Sequence, residues 1–255
     1  MRLVSWNVNG FRAISKKPEW NWFAACNADI IGLQETKARP EQVDEADRNP
    51  PGYQSYWFAA AVKKGYSGTA VFSRPAPLAV TYDLPCADYT GEGRVIHLEY
   101  PAFHYFNIYF PNGQSGEDRL RYKLGFYDAF LEHAQRLRQS KPIVVCGDFN
   151  TAHHPIDIAR PKENEGISGF LPIERAWMDK LVAHGYADTF RLVHPQAADQ
   201  YSWWSYRFKA RERNVGWRID YFFVSEELVP AVRDAWIEMD QFGSDHCPVG
   251  LELDV

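Results

Sequence analysis

The chain has 255 residues, 45% of them hydrophobic and 24% charged, with a net charge of -5. That length buries a full core without staples, and one α/β domain over 1–255 is the simplest account. The acidic balance excludes a protein that coats nucleic acid through bulk positive charge, but not an enzyme with a local basic rim around an acidic site. Four scattered cysteines with no C-x-x-C spacing exclude a zinc ribbon or a disulfide scaffold, so reduced, mostly buried thiols are expected. The N-terminus runs straight into a strand pattern, without a signal-peptide arrangement. No run of about 18 apolar residues offers a membrane span.

In chain order, β-rich apolar runs predict strands at 2–6, 29–33, 68–73, 94–99, 104–110, 142–146, 218–224 and 247–253. Helices are predicted at 19–26, 40–48, 117–139 and 173–184. In the third of these, Leu120, Leu124, Tyr127, Leu131 and Ala134 lie on one face. Ser115 and Asp118 resemble a capping box at its start. Pro172 suits the first turn of the last helix. The mixture predicts mixed rather than purely parallel sheets.

One pattern recurs: a hydrophobic strand runs out and polar residues stand at its end. The clusters are Asn7-Val8-Asn9-Gly10, Gln34-Glu35-Thr36-Lys37, Tyr109 with Pro111-Asn112-Gly113, Gly147-Asp148-Phe149-Asn150, Asp220, and Ser244-Asp245-His246. Any one cluster reads as a turn. Six together read as a site assembled at strand ends. Asp148 and Asn150 are two apart, as are Asn7 and Asn9, so in extended chain each pair shares a face. Gly147 would let a ligand approach the backbone closely. Asp148 can accept a proton from water, and neutral Asn150 can hold a phosphate oxygen.

Glu35 is the best single ligand for a hard cation such as Mg²⁺, with a salt bridge to Lys37 as the alternative reading. His246 needs a partner to set its tautomer. Adjacent Asp245 points the other way in extended chain, so Asp220 is the better partner and Asp245 is left to face the metal or nucleophile. His153 and His154 lack zinc-type partners and read as structural. The segment 201–213, followed by Trp217-Arg218, interleaves aromatics with cations, as a nucleic-acid surface does. Trp204 is expected in the core; Trp203, Arg207 and Trp217 are expected toward substrate. Lys63-Lys64 and Arg119-Arg121-Lys123 are candidates for a basic rim.

These residues carry a resemblance. WNVNG, LQETK, YFPNG, GDFNTAH, NVGWRIDYFFVS and GSDHCP, in this order, resemble the exonuclease III family of apurinic/apyrimidinic (AP) endonucleases over residues 2–253. GDFN and SDH occur across a wider phosphodiesterase superfamily, whereas GFLPIERAWMD and NVGWRIDY are specific to the AP endonuclease branch. The resemblance implies a four-layer α/β sandwich, two mixed β-sheets packed face to face and flanked by helices. It implies metal-dependent incision of duplex DNA 5′ to abasic sites, with 3′-5′ exonuclease and 3′-end repair as companions.

Residue by residue, Glu35 matches the principal metal ligand and Asp148, with Asn150, the group that handles the attacking water. Asp220 and His246 match the pair at the scissile phosphate, and Asp245 a second carboxylate near the metal. Tyr109, Asn112 and Asn7 match phosphate- or site-organising positions, and Trp217 the wall against the abasic sugar. Asn9 stands where some members have Asp, so one ion, Mg²⁺ or in its place Mn²⁺, is expected rather than two. A monomer in the cytoplasm, associated with the nucleoid when on DNA, is expected. Two rivals stay open at this point: a relative acting on RNA, lipid or inositol phosphate, and a DNA-damage-binding module without catalysis.

Overall fold

The computed structural model describes residues 1–255. Twelve strands form two mixed sheets. They are β1 (Arg2–Asn7), β2 (Ile30–Gln34), β3 (Gln54–Phe58), β4 (Thr69–Ser73), β5 (Ala79–Tyr82), β6 (Val95–Glu99), β7 (His104–Tyr109), β8 (Ile143–Asp148), β9 (Tyr186–Asp188), β10 (Asp220–Ser225), β11 (Val232–Ile237) and β12 (Val249–Leu253). One sheet has the order β11-β12-β1-β2-β4-β3 and the other β5-β6-β7-β8-β10-β9. Each sheet holds a single parallel pair, β1 with β2 and β7 with β8; every other pairing is antiparallel. The expected four-layer sandwich is the fold observed.

Two-residue alternation sorts the side chains into three cores. Leu3, Ile30, Val71, Ile96, Leu98, Val144, Phe222 and Leu251 pack between the sheets. Their neighbours Val4, Trp6, Ile31, Leu33 and Phe72 face outward onto Phe11, Trp22 and Phe23. On the other outer face, Phe106, Ile108, Val145 and Phe223 meet Phe126, Phe130, Leu131, Trp177 and Met178. These last five come from helices Glu117–Arg138 and Pro172–Ala183. No helix is long and apolar enough to cross a membrane.

The eight predicted strands are all present. Four were missed, β3, β5, β9 and β11, and these are the four sheet edges. Edge strands are short and partly solvated, which blurs their hydrophobic pattern. The helix predicted over 19–26 is a 3₁₀ turn, Pro18–Asn21, followed by one α turn, Trp22–Ala25. That over 40–48 is likewise two short pieces, Pro40–Gln42 and Glu45–Arg48. The capping box at Ser115 and Asp118 does not form: Gly116 caps the long helix without a side-chain bond. Phe126 and Phe130 are fully buried, whereas Leu120 and Leu124 are only partly so, which rotates the core face from the predicted one.

Gly147 serves the fold rather than ligand approach. Its φ is +134°, and a Cβ there would overlap the carbonyl oxygen of Ile108 on the parallel neighbour β7. Gly147→Ala is expected to cost about 3 kcal/mol, read as a lower urea midpoint at unchanged slope.

Candidate active site

The parallel pairs end on the same side of the sandwich, where β10 and β12, running the other way, begin. The six polar clusters therefore meet at one rim, all of them on central strands. Along each strand the inward-facing series turns from apolar to polar as it nears this rim. Leu3, Ser5 and Asn7 do so on β1; Val144, Cys146 and Asp148 do so on β8. Beneath the rim lies a hydrogen-bonded layer in which Gln34 Nε2 donates to Ser5 Oγ (2.9 Å) and to Asn107 Oδ1 (2.6 Å).

Asn7 lies at the centre. Its single amide nitrogen donates to Glu35 Oε1 (3.0 Å) and to Asp148 Oδ2 (2.9 Å), holding the two carboxylates close together. His246 donates Nδ1–H to Asp220 Oδ2 (2.8 Å), which turns Nε2 toward Asp148 Oδ2 at 3.8 Å. The pairing of His246 with Asp220 rather than Asp245 is as expected from strand geometry. Asp220 sits directly across from Asp148 in the β8–β10 register.

The residues two apart are joined by turns, not by extended chain. Asn9 and Asn150 both have left-handed backbones, with φ of 46° and 52°. Asn9 N–H donates to Asn7 Oδ1 (3.0 Å), and Asn150 N–H donates to Asp148 Oδ1 (2.8 Å). Gln114 N–H does the same to Asn112 Oδ1 (2.8 Å). Each strand end is thus a side-chain-capped turn that also fixes the side chain's rotamer. Asn150 stays beside Asp148 (Nδ2 to Oδ2, 3.3 Å) and accepts from Asn112 Nδ2 (2.9 Å).

Asn9 faces elsewhere. It donates to Asp245 Oδ1 (2.9 Å) and accepts from Lys37 Nζ (2.5 Å). The other Asp245 oxygen accepts from Trp203 Nε1 (3.1 Å). Asn9 and Asp245, expected near the metal, are therefore committed to each other and to Lys37 and Trp203, and the cation-type donors gather without them. Those donors are Glu35, Asp148 and His246, whose ligand atoms lie within 4.8 Å of one another. Lys37 also pairs with Glu35 Oε2 (2.8 Å), so the alternative salt bridge exists while Oε1 takes the Asn7 amide.

Electrostatics follow from crowding. Burial first, then the charge of Asp220, pushes Asp148 up to about 7, against the pull of His246. Burial alone would lower His246, but Asp220 and Asp148 outweigh it and hold the imidazole above its usual range. Burial and the Glu35 and Asp148 carboxylates keep the Tyr109 phenol protonated well above its usual range. Oxygen donors dominate the site and negative charge is in excess, which suits a hard divalent cation held by Glu35 and Asp148.

Beside these groups lies a cavity of about 180 Å³. Glu35, Tyr109, Asp148 and His246 form its polar side; Trp203, Trp217 and Ile219 form its apolar wall. Trp203 and Trp217 meet edge to face (5.8 Å), and Gly169 fits closely under Trp217. Trp204 is buried, as expected. Arg207 is exposed on the 201–213 segment and does not line the cavity. His153 is structural, paired with Asp179 (2.8 Å).

Of the expected basic rim, Lys63 and Lys64 are exposed. Arg119 instead pairs with Glu92, and Lys123 is fully buried against Glu174. Lys123 reads as rim in sequence because it follows Arg119 and Arg121 on the same helix; its partner lies 51 residues away. Gly169 and Glu174 lie in the GFLPIERAWMD segment that carries the resemblance, but neither they nor Ser168 were given a role from sequence.

The profile of the Endonuclease/Exonuclease/phosphatase family matches residues 4–246. The chain is 46% identical over 256 residues to an exodeoxyribonuclease of Bacillus subtilis, spanning all of both proteins. It is 40% identical to the DNA repair nuclease APEX1 of Danio rerio, across all of this chain and 83% of that one. Among solved structures, a 3′ phosphatase from Neisseria bound to a product DNA hairpin superposes with a TM-score of 0.91 at 29% identity, covering all of both chains. This chain is therefore a member of the Endonuclease/Exonuclease/phosphatase family, and its relatives there are DNA-repair nucleases.

Proposed function

We propose that the protein is a Mg²⁺-dependent nuclease that hydrolyses the phosphodiester 5′ to an abasic site in duplex DNA and trims blocked 3′ ends at the same centre. The observation that carries this reading is the small aromatic-walled cavity set against Glu35, Asp148 and the Asp220–His246 pair. At about 180 Å³ it falls below the roughly 300–1,000 Å³ of sites for drug-sized ligands. That size suits a bare sugar.

Asp148, held by Asn7 and the Asn150 amide, orients the attacking water and takes its proton. His246, fixed by Asp220, stabilises charge on the phosphoryl group, and the protonated Tyr109 donates to a phosphate oxygen. Asn112 and Asn150 brace that side of the cavity, while Trp203 and Trp217 pack on the sugar. Arg207, with its exposed neighbours, meets backbone phosphates. Glu35 and Asp148 would hold the ion, which when bound offsets phosphate charge and supports the departing 3′ oxygen.

Mg²⁺ suits a site with few carboxylates that shares its ion with a phosphate, and Mn²⁺ accepts similar oxygen ligands. One chain carries every group named, which supports action as a monomer. Four free thiols and a DNA substrate support a reducing compartment that holds DNA, the cytoplasm of a cell with a nucleoid.

A 5′-labelled duplex with one abasic site tests the reading. With Mg²⁺ the expected product is a single nick on the 5′ side of the lesion; with a chelator in excess, cleavage should fall to background. Equal cutting with and without chelator would sink the metal-dependent reading, and tight binding without cutting would make the protein a damage-binding module.

A further inference from the structure

Lys123 and Glu174 are both 0% exposed and form an ion pair of 2.6 Å. Neither belongs to the catalytic groups above, and a buried pair is in general no better for stability than well-packed apolar residues. Its partners link two parts of the site. Besides Glu174, Lys123 Nζ donates to the Asn150 carbonyl (2.7 Å) and to Thr151 Oγ1 (2.8 Å), so all three of its protons are used. Glu174 Oε1 also accepts from Ser168 Oγ (2.8 Å). Its Oε2 accepts from the N–H groups of Gly169 (2.5 Å) and Leu171 (3.1 Å). One end of the pair thus grips the turn that carries Asn150 and caps Asp148. The other grips the 168–171 segment that floors the sugar cavity under Trp217.

We propose that Lys123 and Glu174 act as a positioning pair, setting the distance between the Asp148–Asn150 strand end and the cavity floor so that the bound sugar presents its phosphate to Asp148. The inference rests on the functional reading above. The pair touches no substrate. Its effect runs through Asn150 on one side and Gly169 on the other, and misplacement by about 1 Å is enough to slow a reaction on the order of 10²-fold. The charge serves this purpose because ammonium and carboxylate bonds are short and directional, and five outside polar partners at fixed positions leave the two segments no freedom to drift.

The test is steady-state incision of a duplex carrying a tetrahydrofuran abasic analogue, with thermal melting of the same samples. The double variant Lys123→Met/Glu174→Leu removes both charges together and is expected to lose about 100-fold in kcat with KM little changed. Thr151→Val removes one lysine partner without stranding a charge, though it also removes the contact to Tyr127 Oη (3.0 Å), and is expected to lower kcat several-fold with KM unchanged and the protein still fully folded at the assay temperature. It keeps the inference testable if the double variant does not fold. Parental kcat in Thr151→Val, or a loss in the double variant that vanishes once activity is scaled to the folded fraction, overturns the positioning role. Failure of the parent itself to cut the analogue is a separate result, and refutes the functional reading instead.

Discussion

Asp148→Asn protein is expected to remain folded and to incise an abasic duplex at least about 10²–10³-fold more slowly at saturating Mg²⁺ and substrate, the loss seen when one preorganised catalytic group is removed. The change is nearly isosteric, and an amide oxygen can still accept from the Asn150 N–H. The other arm cannot be replaced. Asp148 Oδ2 accepts from Asn7 Nδ2, and an amide nitrogen there would set donor against donor. Asn7 would be freed, and with it the link to Glu35. The variant thus loses the proton acceptor and the carboxylate pairing together, so kcat should fall far more than KM rises. A nick-formation time course in enzyme excess measures this directly. A parental rate would remove Asp148 from the chemistry.

Arg218→Met should give the largest loss of stability. Arg218 is 1% exposed and pairs with Asp157 (2.8 Å) and Asp188 (2.7 Å); Arg191 also binds Asp157 (2.6 Å). This network anchors the 154–158 loop to the start of β10, two residues before Asp220. Removing the central cation leaves two buried carboxylates with one arginine, a change that typically costs about 3–5 kcal/mol. For a chain of this size that is a fall of roughly 6–20 °C in melting temperature.

The same network has a pH signature. Burial alone would raise Asp157, but Arg218 and then Arg191 outweigh it and hold its carboxyl well below the usual range. A carboxyl depressed in the folded state contributes stability above its unfolded pKa of about 3.9. That contribution drains away as pH falls through the lower, folded value. The Asp157→Asn variant should therefore be less stable than the parent at pH 7, and the gap should narrow as both are titrated below about pH 4. Urea midpoints measured from pH 7 down to pH 3 check this; a constant gap would exclude the linkage.

Much of the site was legible because it lies on central strands. Those strands are apolar along most of their length, so Asn7, Glu35, Asp148 and His246 stand out where the pattern breaks. Parity along the strand was enough to separate Asp220 from Asp245 as the partner of His246. The same parity misled for Asn9, because the chain leaves extended geometry at the strand end, and a turn can send the second residue to another neighbour. The edge strands were illegible for a related reason: with one side solvated, QSYWF and AVTY lose the contrast that marks a strand. Lys123 shows a different limit. Its burial depends on Glu174, and a pairing across helices leaves no periodic trace.

The pairing of β1 with β12 bears on how the protein is made. Residues 2–5 lie beside 249–252, so the first sheet cannot close until the last strand has left the ribosome. Contacts of such long sequence separation form late and slowly. Asn7 is made early and His246 late, so a product that stops before residue 246 carries the first without the second. The catalytic groups therefore come together only once β12 has paired with β1, as a late event of folding.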